Sequence, residues 1–351
     1  MIDSWLQRFP ASHRSFRLLR NANGGYAVIW ERGSRLIGLV PGKGAESAVW
    51  VDFRALEEGT WNVGGDRTWI SPEFALFADA SGRYDIPAQL DPGSYRFLPA
   101  ETAEVVRTEQ MCELTHWPDR RSIPIRLTKE YRLIANPFDR VRSDEYRKLA
   151  QLPFIGCQIE TRLQLLYDPE QMSDRPLPAI NLWSILQVHP GGTVLVPVHG
   201  NAEPLVMHRE RRLPVIESQP AVTSFPFRGD DGFKLSFHSL QSTGRFGYFR
   251  RLGPDAFSLI VRQFRVHPSA LYPDHPEDRP DYTGSCMQFF YDGGKMGGYG
   301  ELEYHAPSID GRDATVQSDT SQLYYFVGTR DQIADIAHHL LGTDLSGVCG
   351  A

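Results

Sequence analysis

Hydrophobic and polar residues alternate in short runs along most of the chain, as they do in β-strands with one buried face. The segments 126–133 and 158–165 show the alternation most clearly. Clusters rich in glycine, such as 21–25 and 41–44, interrupt the runs and predict turns between antiparallel strands. Strands are predicted at 15–19, 25–31, 35–40, 48–53, 103–115, 123–133, 155–167, 193–198, 233–237, 245–251, 256–266, 286–291, 300–305 and 322–327.

Little of the pattern is helical. Residues 331–341 predict a helix, with Asp331 in its first turn and Gly342 after its end. A short leading helix is expected at 2–8, and 179–187 fits either a strand or one helical turn. The segment 64–73 is expected to be rich in loops, and 268–280 is expected to be a long loop.

About sixteen short strands with so little helix predict an all-β fold, a large antiparallel sandwich. A chain of 351 residues can form one large β domain or two smaller ones. The sequence contains no short repeat and no low-complexity linker, so we predict a single β-sandwich domain over 1–351.

Composition narrows the classes of partner. The chain is 41% hydrophobic and 23% charged with a net charge of −6, which is typical of a soluble globular protein. Lysine and arginine are interleaved with acids, so we expect no nucleic-acid partner. We expect no signal peptide and no membrane span either. The four cysteines are scattered, which favours reduced thiols and a cytoplasmic location.

The strand at 300–305 carries the strongest candidate chemistry. Alternation places Glu301, Glu303 and His305 on one face, with Leu302 and Tyr304 on the other. Two carboxylates and an imidazole side by side suit acid–base catalysis, sugar binding or a metal site. An exposed edge strand with a solvated polar face would show the same pattern. We prefer acid–base use, and we predict neither a metal nor a cofactor.

A second candidate is the glycine-led stretch 64–69. Asp66, Arg67 and Trp69 combine a hydrogen-bonding pair with a flat aromatic face, a set suited to gripping sugar hydroxyls and stacking on a pyranose ring. The alternative is a surface turn in which the tryptophan anchors the loop.

Two histidines lie where predicted strands end. His116 precedes Trp117-Pro118, and His189 precedes a Pro-Gly-Gly turn. Either could act as an acid at the mouth of a sheet, or simply cap its strand. Trp183 and Gln187 come just before His189 and could line the same cleft.

These features together resemble a known superfamily. The phrases GGDRTWISPE, LWSILQVHPGGTVLVP and GELEYHAP, with an early arginine and late strand glutamates, are similar to galactose mutarotase-like proteins, and most similar to an uncharacterised bacterial group among them. The resemblance implies a β-supersandwich with a carbohydrate-binding face. It implies a late glutamate as base, Glu301 or Glu303, and a histidine as acid, His189 or His116. The mutarotase phrase with an aromatic and an asparagine after the histidine is absent around His189.

We therefore predict a carbohydrate-binding protein that acts as a sugar 1-epimerase by acid–base catalysis. Asp66, Arg67, Trp69, Trp183, Gln187 and His305 are the predicted sugar-binding residues. Polysaccharide lyase or glycoside-processing activity on the same fold is one alternative, and sugar binding without catalysis is another. The identity of the sugar stays open, including whether it carries a phosphate or a uronate group.

Overall fold

The structure is a computed structural model that describes residues 7, 9, 14–140, 143–167, 177–207, 212–276, 278–311 and 314–345. The helix predicted at 2–8 lies outside these residues except for Gln7. Strands are labelled β1 to β19 and helices α1 to α4 in chain order.

Within the described residues, two large sheets contain all the named strands, and every strand pairs antiparallel with its neighbours. The first sheet has nine strands. Their spatial order is β1 (Phe16–Arg20), β2 (Tyr26–Trp30), β3 (Arg35–Val40), β4 (Asp66–Ser71), β9 (Asn181–Val188), β18 (Gly300–His305), β17 (Ser285–Tyr291), β14 (Phe233–His238) and β11 (Leu205–Val206).

The second sheet has ten strands in the described part of the chain. Their order is β12 (Glu217–Gln219), β13 (Val222–Pro226), β10 (Thr193–Pro197), β15 (Arg245–Arg251), β16 (Phe257–Gln263), β19 (Val316–Gly328), β8 (Phe154–Leu165), β7 (Arg121–Ile134), β6 (Val105–His116) and β5 (Arg96–Leu98). These two antiparallel sheets confirm the predicted all-β sandwich.

Helices in the described residues are few and short. They are α1 (Phe53–Glu58), α2 (Glu73–Phe77), α3 (Asp144–Ala150) and α4 (Arg330–Leu341), with a 3₁₀ turn at Pro137–Arg140. Helix α4 begins at a capping box between Thr329 and Gln332 and ends at Gly342, whose φ is 66°. The described helices are all too short or too polar to span a lipid bilayer.

The main core lies between the two sheets. Leu186, Phe289 and Leu302 from the first sheet pack in one buried cluster with Tyr248 and Leu323 from the second. Each of these strands places alternate side chains in this cluster, so the opposite face of the first sheet is left for other contacts. Helix α4 packs its apolar side on the outer face of the second sheet.

Two sequence predictions are wrong. Residues 48–53 were predicted as a strand, but only Val51 forms a bridge, to Gly64, and α1 begins at Phe53. The side chain of Asp52 accepts hydrogen bonds from two backbone N–H groups of α1, so capping outweighs the β pattern here. The supposed loop at 64–73 contains β4, while 179–187 resolves to β9.

Candidate functional site

A cavity of about 270 Å³ opens on the outer face of the first sheet. Strands β4, β9, β14, β17 and β18 form its floor, and α2 forms part of its wall. Seven aromatic rings and four charged side chains line it: Trp61, Trp69, Phe74, Tyr84, Trp183, Phe290 and Tyr299, with Arg67, Glu73, Lys234 and Glu301. An aromatic cavity with a few convergent polar groups is the usual form of a small-molecule site.

Strand β18 supplies the carboxylate at the floor of the cavity. Glu301, Glu303 and His305 share the outer face, because β18 is flanked on both sides and its even-numbered residues point into the core. Glu301 lines the cavity and is 7% exposed, whereas Glu303 and His305 are fully buried and do not line it. The strand therefore separates one accessible carboxylate from two hidden groups.

Glu301 is anchored through one oxygen. Arg67 Nη2 donates to Oε1 at 2.8 Å, and Gln187 Nε2 donates to the same oxygen at 3.0 Å. Burial raises the pKa of Glu301, while the charges of Arg67 and Lys234 oppose the rise. Both anchoring bonds end on Oε1, so Oε2 is the oxygen available to a ligand.

Arg67 is fixed by rings as well as by charge. Its guanidinium lies over Trp69, 4.3 Å from the ring centroid, and 5.5 Å from that of Trp61. Burial works against its charge, but Glu301 and Asp91 outweigh burial and raise the pKa of Arg67. The arginine is thus a rigid, permanently charged part of the cavity wall.

Lys234 and Glu73 form the second ion pair of the cavity. Lys234 Nζ lies 2.7 Å from Glu73 Oε2 and 4.7 Å from the ring centroid of Trp183. The hydroxyl of Tyr84 donates to Glu73 Oε1 at 2.8 Å. Burial opposes the charge of Lys234, yet the carboxylates around it, Glu73 first, raise its pKa. Lys234 therefore stays an ammonium group.

A layer of polar groups lies behind Trp183. The indole Nε1 donates to Glu303 Oε2 at 2.7 Å, and the ring stacks on His305 with centroids 5.4 Å apart. Burial, reinforced by Glu301 and Glu73, raises the pKa of Glu303 to about 8. Burial and the charge of Lys234 lower the pKa of His305 to about 3, so its imidazole is neutral. The two groups set the position of Trp183 and do not reach the cavity.

A glycine-rich turn before β18 completes the wall. The carboxylate of Asp292 accepts four backbone N–H bonds, from Gly294, Met296, Gly298 and Tyr299, at 2.8 to 3.1 Å. The turn brings Met296 and Tyr299 to the cavity.

Five of the ten predicted site residues lie in or directly behind this cavity, and two more lie deeper, behind Trp183. Arg67, Trp69, Trp183 and Glu301 line it, and Gln187 supports Glu301 from behind. Glu303 bonds to the back of Trp183. His305 is buried against the same ring, so it does not reach a ligand in this cavity.

The structure corrects the prediction that Asp66 binds sugar in this cavity. The structure places Asp66, fully buried, on the inner face of β4, where its carboxylate pairs with Arg262 of the second sheet. Neighbours on a strand point to opposite sides, so Arg67 reaches the cavity and Asp66 cannot. The predicted role of Asp66 in gripping a sugar is therefore wrong for this cavity.

The structure also places the two histidines that were predicted as catalytic acids, His116 and His189, away from this cavity. His116 ends β6 in the second sheet, where Nδ1 pairs with Asp119. His189 lines a separate cavity of about 260 Å³ and lies 3.6 Å from Glu46. Neither histidine lines the cavity of Glu301. His189 lies just beyond the end of β9, and His116 ends a strand of the other sheet.

Sequence reasoning missed Lys234 and Glu73. Lys234 lies between Phe233 and Leu235 on a predicted strand. A single lysine between apolar residues of such a strand could have indicated a functional residue on the opposite face. Glu73 ends the segment 64–73 that was predicted to be rich in loops, and its neighbours in sequence do not reveal its partner. The partner is 161 positions away, a distance that no local pattern spans.

The residues of β18 do not form a metal centre. Glu301 Oε1 is occupied by Arg67 and Gln187, while Glu303 and His305 face Trp183. In the described ranges, no group of three histidine, cysteine or acidic side chains is arranged to hold a metal ion.

Neither a protein-family model nor a curated protein matches the sequence. Solved structures do resemble the fold over most of the chain. The GalM/aldose epimerase homologue from C. elegans is 10% identical with a TM-score of 0.39, covering 90% of this chain and 99% of its own. Galactose 1-epimerase from Lactobacillus acidophilus NCFM is 8% identical with a TM-score of 0.40, covering 89% and 94%.

A mutarotase candidate from Salmonella typhimurium is 8% identical with a TM-score of 0.41, covering 94% of this chain and 100% of its own. By name, the three neighbours are an aldose epimerase homologue, a mutarotase candidate and a galactose 1-epimerase. At these TM-scores and identities, mutarotase-like neighbours carry no inference about activity, which has to come from the cavity itself.

Proposed function

We propose that the cavity binds a carbohydrate and interconverts its anomers, with Glu301 as the base. The observation that carries the proposal is the Glu301 carboxylate in an aromatic cavity, with Arg67 2.8 Å from one oxygen and the ammonium of Lys234 also lining the cavity. Aromatic faces bind the apolar faces of a pyranose ring, and the charged groups orient its hydroxyls.

Glu301 would take the proton of the anomeric hydroxyl on Oε2. Burial raises its pKa, which makes the carboxylate a stronger base than one in water. Arg67 and Gln187 hold Oε1, so the free oxygen is presented in a fixed direction. As the proton leaves, the C1–O1 bond becomes a carbonyl and the C1–O5 electron pair moves to the ring oxygen.

Lys234 would supply the proton to the ring oxygen, in place of the histidines predicted from sequence. Its ammonium is fixed by Glu73 and by the face of Trp183. The ring opens to the aldehyde, the C1–C2 bond rotates, and the same two groups close the ring in reverse, with Lys234 recovering its proton. No net change in protonation of the protein results.

Glu301→Gln tests the base. We expect the anomeric exchange rate of a bound sugar to fall by about 10²- to 10⁴-fold, the usual contribution of a positioned base. The amide keeps the size and the hydrogen bonds, so sugar binding should persist. Magnetisation-transfer NMR on glucose and galactose measures the exchange, and saturation-transfer NMR measures the binding.

Matched variants make this test specific. Glu58→Gln, in an exposed pair with Arg54, removes a carboxylate elsewhere and should leave exchange unchanged. His116→Asn and His189→Asn should do the same, because neither lines the cavity. A wild-type rate in Glu301→Gln, or a collapse in His189→Asn, would contradict the assignment.

Sugar binding without turnover is the second candidate. It is favoured by the absence of histidine among the described residues lining the cavity, and by carboxylates that raise the pKa of Lys234 and make it reluctant to release a proton. Sugar binding with background anomeric exchange in the wild type would establish it. A lyase is less well supported, because Arg67 is already paired with Glu301 and is not free to neutralise a uronate.

A further inference from the structure

Each cation of the cavity is already neutralised by a carboxylate. Arg67 and Lys234 are the cationic residues lining it, and their partners Glu301 and Glu73 lie at 2.8 and 2.7 Å. All four side chains are largely buried, with exposed fractions between 2% and 14%. Water therefore screens these pairs weakly, and the charges stay locally balanced.

The wall behind Arg67 adds no spare positive charge. Asp91 lies 4.0 Å from Arg67 Nε, accepts from Trp69 Nε1 at 2.7 Å, and pairs with Arg35 at 2.6 Å. Arg35 is thus also matched to a carboxylate. A ligand that carried a phosphate or a carboxylate would bring an unpaired negative charge beside these acids, in a site with little water to compensate it.

Glu73, and not Glu301, is the carboxylate that can determine this selectivity. Glu301 is required for the proposed reaction, whereas Glu73 contacts Lys234 and the wall. It is held at three points: its backbone N–H donates to Asp274 Oδ1 at 2.8 Å, Tyr84 donates to one oxygen, and Lys234 binds the other. Tyr84 and Lys234 together bind both carboxylate oxygens, so Lys234 is occupied by Glu73 in this structure.

We propose that Glu73, by occupying Lys234, restricts the cavity to uncharged sugars and excludes sugar phosphates and uronates. The inference rests on the proposed carbohydrate function and adds the substrate class to it. It also assigns a specificity-determining role to a residue outside the strand that carries the base. A protein can select a ligand either by adding contacts to it or by disfavouring its competitors. Pairing Lys234 with Glu73 works in the second way, because it disfavours anionic sugars.

The test compares matched ligand pairs: glucose with glucose 6-phosphate, and galactose with galacturonate. Binding is measured by calorimetry and saturation-transfer NMR at low ionic strength. We expect the wild type to bind each neutral sugar at least about tenfold more tightly than its charged partner. Glu73→Gln frees Lys234, so affinity for the charged member should rise by at least about tenfold.

Three further variants isolate the cause. Glu73→Gln combined with Lys234→Met should lose the gain, since the cation is gone. Glu73→Asp keeps the negative charge and should keep the wild-type preference. Glu130→Gln frees Arg107 and Arg132 in the second sheet, and Glu130 matches Glu73 at 14% exposure, so this control should gain nothing.

The outcomes separate the two proposals. A wild type that binds both members of a pair equally, or prefers the charged one, overturns the exclusion but leaves carbohydrate binding standing. A wild type that prefers neutral sugars while folded Glu73→Gln gains nothing overturns the role of Glu73. Binding of no member of either pair refutes the carbohydrate function and the inference with it.

Discussion

Glu301 and Glu303 are two residues apart on one strand face, yet their surroundings give them different chemistry. Glu301 faces the cavity and has a guanidinium on one oxygen. Glu303 is fully buried, with one oxygen bonded to the indole of Trp183 and the other without a partner among the described residues. Its neutral form is the one that suits this environment.

Glu303 should make the stability of the protein depend on pH. Its pKa is about 8 in the folded state against an ordinary 4.5, so the folded state keeps a proton that the unfolded chain releases. This contribution to stability is complete below pH 4.5 and is lost as pH rises through 8. In Glu303→Gln the amide cannot ionise, and the decline in free energy of unfolding over this window should become shallower.

Urea unfolding at several pH values from about 5 to about 9 measures this slope. Glu58→Gln, on an exposed pair, is the control and should keep the wild-type slope. An unchanged slope in Glu303→Gln would mean that Glu303 ionises normally in the folded protein.

At the scale of the element, β4 serves two purposes with adjacent residues. Arg67 and Trp69 point outward to the cavity, while Asp66 points inward to Arg262. The glycines before it make the strand possible. Gly64 has φ of 92°, and a Cβ there would lie 2.2 Å from the carbonyl oxygen of Trp50.

The two faces of β4 should respond differently to substitution. Asp66→Asn removes the ion-pair partner of the buried Arg262 between the sheets, so the free energy of unfolding should fall by about 3–5 kcal/mol. Sugar binding by the folded fraction should not change. Arg67→Met removes the anchor of Glu301, so sugar affinity should fall by at least about tenfold.

Denaturant titrations and saturation-transfer NMR, at a temperature where both variants are folded, separate the two effects. Equal losses of sugar affinity in Asp66→Asn and Arg67→Met would show that the inner face of β4 also controls the cavity.

The sequence predicted those elements whose signal is local. The alternation at 300–305 placed Glu301, Glu303 and His305 together, and β18 has that face. The prediction failed at β4, because glycines followed by an Asp-Arg pair are typical of a turn. This segment becomes a strand by pairing with β9, which is distant in sequence. The prediction also failed at 48–53, where a single capping carboxylate redirects the chain into α1.

At the scale of the whole molecule, the site depends on contacts between distant parts of the chain. Arg67 and Glu301 are 234 positions apart, and Glu73 and Lys234 are 161 apart. Periodicity shows which face a residue occupies but not which strands become neighbours. The predicted sandwich was therefore confirmed, whereas the histidines chosen as acids lie elsewhere and Lys234 was not foreseen.

The tryptophans that line the cavity should make the intrinsic fluorescence of the protein sensitive to ligand binding. Trp61, Trp69 and Trp183 line the cavity, and they are three of the seven tryptophans in the chain. Indole emission responds to local polarity and hydrogen bonding, so a sugar that displaces water from these rings should shift and change the native fluorescence. Trp183→Phe should reduce that change, and an emission spectrum unaltered at saturating sugar would locate the ligand away from these rings.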